Sequence, residues 1–219
     1  MFRNRAPAFD RVPGRSGHTD EWLFLMQHHG APTRLLDWTE SALAGLLFAV
    51  YRVDKDRPDD SNDAALWMLH PLELNALKDS IGKGEFPNTW SNHPGNIVRH
   101  NIDTPFGSGK PATRLPIAIQ TTFSRQMMSN QKSCFTVHGI LEEDFETIFT
   151  DTPLVQKGYF RKYLIPSRSR QSIEAELDVL GVTYSAVFPN LNGLALELKY
   201  RFRTAGGESS RKDITNRWS

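Results

Sequence analysis

The sequence predicts an α+β fold: a small mixed sheet flanked by helices, in a single domain with long irregular loops. Three observations carry that expectation. Apolar runs of strand length and stretches with helical spacing both occur, but they do not alternate regularly as they would in a parallel α/β fold. Gly, Pro and Asn crowd the stretch 79–114, marking a long excursion of the kind that is uncommon unless it serves a function. Hydrophobic residues make up 39% of the 219 residues, enough for a core, while a mean hydropathy of -0.46 leaves much polar loop.

The elements follow in order. Residues 1–19 hold four arginines (Arg3, Arg5, Arg11, Arg15) among Pro and Gly and read as a flexible basic N-terminus. Thr19 or Asp20 caps a helix over Glu21–His29 with Trp22, Leu23 and Met26 on one face. Gly30 suits a left-handed helix terminus, and Pro32 prevents continuation. Thr33–Trp38 is a short strand. Thr39 caps a helix over Glu40–Arg52 that buries Leu43, Leu46, Leu47 and Val50. An acidic loop spans 53–63, Ala64–Leu69 is a strand, and Pro71 opens a short helix toward Lys78. Leu115–Gln120 and Cys134–His138 are strands, and Glu142–Phe149 is a short acidic helix or turn. Tyr159–Ile165 is a strand ended by Pro166. A helix capped by Ser167 or Ser169 runs to Leu180, with Ile173, Leu177 and Leu180 inward and Gly181 as its stop. Val182–Phe188 is extended, and Pro189 begins a helix carrying Leu191, Leu194, Ala195 and Leu198. The domain proper is expected over 20–203, and the polar tail over 204–219 frays.

Charge narrows the function classes. Lys and Arg number 26 against 25 Asp and Glu, a net charge of +1, which excludes a strongly basic nucleic-acid coat and an acidic tail protein. The single cysteine, Cys134, excludes an internal disulfide framework and a cysteine zinc cluster, and it fits a reducing compartment. The longest apolar or small run, Ala42–Tyr51, is about half of the roughly 20 residues a membrane span requires. Met1–Pro13 lacks the apolar region of a secretory signal. A cytoplasmic protein without a membrane partner is expected; the oligomeric state is left open.

Chemistry concentrates in the run Gln27-His28-His29-Gly30-Ala31-Pro32-Thr33-Arg34-Leu35-Leu36-Asp37-Trp38-Thr39. Two imidazoles, a guanidinium, a carboxylate, an amide and two hydroxyls meet there at a helix–turn–strand–helix corner. Strand alternation sends Thr33, Leu35 and Asp37 to one face and Arg34, Leu36 and Trp38 to the other. Each residue alone has a structural reading, with Asp37 pairing to an arginine and the histidines closing a helix end. The cluster as a whole favours function, because so much polar chemistry beside an apolar helix is costly to desolvate. No metal site is expected: adjacent histidines on a regular helix cannot face one ion, and no His-x-x-x-His pair exists. A second constellation, Arg125 to Gly139, runs polar residues into an apolar strand. There Arg125 and Gln131 either bind a carboxamide or phosphate or satisfy loop backbone. Cys134 reads as a small core residue rather than a nucleophile. Phe106–Lys110 lacks the full phosphate-loop spacing and is rejected as one. Lys157, Arg161, Lys162, Arg168 and Arg170, interleaved with Tyr159, Phe160 and Tyr163, fit a nucleic-acid surface or a cation-protected edge strand about equally.

Those two constellations carry a resemblance. Glu21-Trp22-Leu23, then Met26-Gln27-His28-His29-Gly30, Pro32-Thr33-Arg34-Leu35-Leu36-Asp37-Trp38-Thr39 and Ala49 resemble the FRG domain family. The likeness continues through Arg125, Gln131 and Phe135-Thr136-Val137-His138-Gly139. It ends with Ile165-Pro166, Leu177, Gly181 and Phe188-Pro189-Asn190-Leu191-Asn192-Gly193-Leu194, so it spans about 21–198. Phe2-Arg3-Asn4 does not supply the family's Phe-Arg-Gly motif, and Ser133 stands where the family often has glycine. The resemblance therefore implies a shortened member, or an N-terminal portion outside this sequence. By analogy of element order it implies a polar pocket for a nucleotide-type ligand, with NAD as the cofactor of an ADP-ribosyltransferase-like enzyme. In that reading Gln27, Thr33, Arg34, Thr39 and Arg125 bind the cofactor. Asp37, His28, His29 and Gln131 form the catalytic group, with Gln131 near the usual glutamate. The alternatives are a non-catalytic nucleotide or nucleic-acid binding module acting as a sensor, and an inactive truncated remnant.

Overall fold

The computed structural model of the protein describes residues 2–8, 19–51, 62–85, 111, 113–120 and 133–205. The acidic loop 53–63 lies outside the described residues except at its end. So do most of 79–114, residues 121–132 and the residues from 206. The described chain mixes helices with two small sheets, the α+β arrangement expected. It divides into two compact units: Met1–Glu40, Trp67–Ser124 and Ser133–Lys162 form the first, and Ser41–Leu66, Arg125–Lys132 and Tyr163–Ser219 the second.

The first unit is built on a three-stranded antiparallel sheet. Strand β1 (Leu35–Thr39) pairs with β4 (Ser133–Val137), which pairs in turn with β3 (Ile117–Gln120), so β4 is central. The register sets Leu35 opposite Val137 and Asp37 opposite Phe135, with Ile117 and Ile119 continuing the same face on β3. Helix α2 (Thr19–His28) covers that face, with Phe24 packed on Phe135 at a ring separation of 4.9 Å. One-sided burial was expected for α2. Instead Trp22, Leu23, Phe24 and Leu25 are all buried and Met26 only partly, because four successive residues sweep most of a helix circumference. Near the N-terminus, Phe2–Arg5 form a helical turn, α1, with Arg3 over the Trp22 ring.

The opposite face of the sheet meets a second core of Leu74, Leu115, Ala118, Phe145, Phe149, Leu154 and Phe160. Helix α4 (Pro71–Ala76) is tied to β3 by the fully buried Asn75, which donates to the Ala118 carbonyl at 2.8 Å and accepts from the Ala118 N–H at 2.9 Å. One amide thus saturates a backbone position on an outer strand, where an unpaired buried group would be costly. Helices α5 (Phe145–Phe149) and α6 (Pro153–Gln156) complete this layer, and α5 is capped by Asp144, whose carboxylate accepts from the Thr147 N–H at 2.8 Å.

In the second unit, α3 (Ala42–Val50) and α7 (Arg170–Val179) enclose a core of Ala44, Leu47, Val50, Ala64, Ile165, Leu177 and Val187. Strands β2 (Ala64–Leu69) and β5 (Phe160–Ile165) form a two-stranded sheet. Five expectations are corrected here. Ser41, not Thr39, caps α3, accepting from the Ala44 N–H at 3.3 Å, because β1 runs on to Thr39 and the helix starts later. Leu43 is 43% exposed and Leu180 64% exposed, since Ala44, Leu47 and Val50 set the packed face of α3 and α7 ends before Leu180. Val182–Phe188 is not extended: Thr183 caps a one-turn helix, α8 (Tyr184–Val187), and Glu197 accepts the Ser185 N–H at 2.8 Å. The last helix, α9 (Leu191–Ala205), begins after Asn190, whose side chain accepts from the Gly193 N–H, rather than at Pro189. Gly193 is buried so tightly that a Cβ there would lie 2.1 Å from the Phe188 carbonyl oxygen. Leu191, Leu194, Leu198 and Phe202 remain exposed on α9.

Candidate functional site

The corner predicted to carry chemistry lies at the C-terminal end of α2. Gly30 adopts φ +70°, the Ala31 N–H reaches back to the Met26 carbonyl at 2.9 Å, and Pro32 then releases the chain into β1. Because α2 covers the Asp37 face of the sheet, its last turn brings Gln27 onto that carboxylate. The contacts form a single chain. The Leu35 N–H donates to Thr33 Oγ1 at 3.0 Å, Thr33 Oγ1 donates to Gln27 Oε1, and Gln27 Nε2 donates to Asp37 Oδ2.

Asp37 stays open to solvent, yet the protein packed behind it pushes its pKa above the usual carboxylate value. The hydrogen bond from Gln27, the residue's own backbone N–H and the charge of His28 pull the other way without prevailing. His28 and His29 are exposed, with their rings edge to face at 5.0 Å. Thr39 lies two positions further along the same strand face, opposite Ser133.

Arg34 leaves the group. Its guanidinium donates to the Gly139 carbonyl, beyond the end of β4. Only glycine suits position 139, where a Cβ would lie 2.6 Å from the carbonyl oxygens of Thr113, Arg114 and Leu115. Between Arg34 and Gly139 sits His138, whose N–H donates to the Arg34 carbonyl at 3.0 Å and whose ring stacks on Phe145 at 5.0 Å. Burial lowers its pKa, and the neighbouring guanidinium adds to that, keeping the imidazole neutral near pH 7. Sequence reasoning did not single out His138 as a site residue. The available signal was its place in the Phe135–Gly139 run, directly beyond a strand that pairs with β1.

The structure thus joins Gln27, Thr33 and Asp37, sets His28 within electrostatic reach, and turns Arg34 toward Gly139. Arg125 and Gln131 lie outside the described residues. Cys134 is partly buried and its thiol is pushed up to about 11 by burial and by Glu40, the environment of a packed side chain rather than a nucleophile. In the basic stretch after Lys157, Lys162 pairs with Glu146 at 3.0 Å and lies over the Trp67 ring, while Arg161 donates to the Gly158 carbonyl. Among the described residues, no group of three His, Cys, Asp or Glu is placed to hold a metal ion, and no helix is long and apolar enough to cross a membrane.

The comparison with known families agrees with the resemblance read from these residues: the FRG domain family matches residues 1–58, which contain α2, β1, α3 and the whole Gln27–Thr39 corner. No curated protein and no solved structure matches the chain.

Proposed function

We propose that the α2–β1 corner is the ligand site of an FRG-type module that recognises a nucleotide-type molecule through its ribose hydroxyls, and that the module works in the cytoplasm. The observation that supports this most is the hydrogen-bonded chain ending on Asp37, which holds a solvent-open carboxylate against a neutral amide rather than a countercharge. A carboxylate so held accepts hydrogen bonds from paired hydroxyls. His28 lies close enough to couple to it electrostatically. Arg125 and Gln131 enter this reading only through the family resemblance.

A second reading, an ADP-ribosyltransferase-like enzyme using NAD, is favoured by one feature: Asp37 and His28 are close enough to couple electrostatically beside an open face. There Asp37 would face developing positive charge on the ribose. Incubation of the full chain with labelled NAD separates the two. The module predicts thermal stabilisation, about 2.7 kcal/mol at a hundredfold excess over Kd, that falls to about 1.4 kcal/mol in Asp37→Asn. Release of nicotinamide would decide for the enzyme. An identical thermal response from wild type and Asp37→Asn would refute both.

A further inference from the structure

The hydrogen bonds at this corner have a direction, and the direction constrains which atoms can meet a ligand. The Leu35 N–H can only donate, so Thr33 Oγ1 accepts there and has one hydrogen left to give. That hydrogen goes to Gln27 Oε1, which turns the amide so that Nε2 faces Asp37 Oδ2. The reversed amide would set Oε1 against a carboxylate oxygen, acceptor on acceptor, so an ionised Asp37 itself selects the observed orientation. Gln27 Oε1, one Nε2 hydrogen of the same amide and the hydroxyl hydrogen of Thr33 are therefore engaged inside the protein. Oδ1 is the Asp37 oxygen left outside this chain.

We infer that Gln27 and Thr33 are positioning residues that act through Asp37, and that Asp37 Oδ1 is the carboxylate atom that meets the ligand, accepting a hydroxyl hydrogen. This rests on the ligand reading above but reassigns Gln27 and Thr33, which the resemblance implied to be direct cofactor contacts. It also places any proton carried by Asp37 on Oδ1, since Oδ2 is committed as an acceptor.

Carboxyl-carbon NMR of Asp37 through a pH titration tests the relay without any ligand. Gln27→Met removes the donor at similar volume and raises the Asp37 pKa by about one pH unit. Thr33→Val releases the amide and gives a smaller shift of the same sign, while Thr33→Ser restores the wild-type titration. An Asp37 titration unchanged in Gln27→Met, or shifted equally by Thr33→Val and Thr33→Ser, overturns the relay. Calorimetry with ADP-ribose forms the second arm. Affinity falls in Gln27→Met and Thr33→Val and recovers in Thr33→Ser. Intact titration coupling with no ADP-ribose binding by wild type would sink the nucleotide reading and leave the relay standing.

Discussion

Two acidic side chains, one in each unit, show how environment separates a structural carboxylate from a candidate functional one. Glu197 in α9 accepts the Ser185 N–H at 2.8 Å and pairs with Arg201 at 3.1 Å. Burial pushes its pKa up, but the hydrogen bonds from Ser185 and Thr183 and the Arg201 charge outweigh that, and the net shift is downward. Asp37 is held by the neutral Gln27 amide with only His28 as a charged neighbour of helpful sign, and its net shift is upward. An acid with a full countercharge is stabilised as an anion and committed to the fold. An acid held by neutral dipoles retains capacity for a further partner, which is the condition a ligand site needs.

The largest effect is expected from breaking the structural acid. Glu197→Ala leaves the Ser185 N–H without its acceptor and Arg201 with one partner fewer, a cost of about 1–3 kcal/mol measurable by urea unfolding. Asp37→Asn, by contrast, keeps an acceptor for Gln27 and changes stability by less than about 0.5 kcal/mol. Its effect falls on binding instead, with ADP-ribose affinity dropping about tenfold, or roughly 1.4 kcal/mol. A large loss of stability in Asp37→Asn with unchanged binding would reverse the assignment.

The pH dependence sharpens the same contrast, because the two acids contribute with opposite sign. The Glu197 contribution is present above its ordinary value of 4.5 and is lost as pH falls through the depressed folded value. The Asp37 contribution is present below its ordinary 3.8 and is lost as pH rises through the elevated folded value. Urea unfolding of Asp37→Asn and Glu197→Gln across the acid range should therefore show slope changes of opposite direction. Slope changes of equal direction would contradict the assigned shifts. The smallest effect belongs to Cys134. With its thiol at about 11, alkylation near neutral pH is slow and Cys134→Ala leaves ligand response unchanged. Rapid alkylation accompanied by loss of response would place the thiol in the site.

The α2–turn–β1 corner was legible because its signals are local: Gly30 and Pro32 punctuate the turn, and period-two alternation puts Leu35 and Asp37 together. Errors arose where tertiary contacts chose among local options. Val182–Phe188 has the composition of a strand, yet the Thr183 cap and the distant Glu197 carboxylate select a helical turn. Leu43 and Leu180 have the right spacing for burial, but the packed face of α3 and the end of α7 decide against them. The junction of Arg34, His138 and Gly139 joins residues 105 positions apart in sequence through an antiparallel register, and no periodicity encodes that pairing.

The most direct measurement is backbone amide chemical-shift mapping of the full chain titrated with ADP-ribose. Saturable shifts should centre on Gln27, His28 and Asp37, extend to Arg34 and His138, and require about tenfold more ligand in Asp37→Asn while the rest of the spectrum is unchanged. Shifts confined to α7–α9, or a corner silent at saturating ligand, would contradict the assignment of this corner as the binding site.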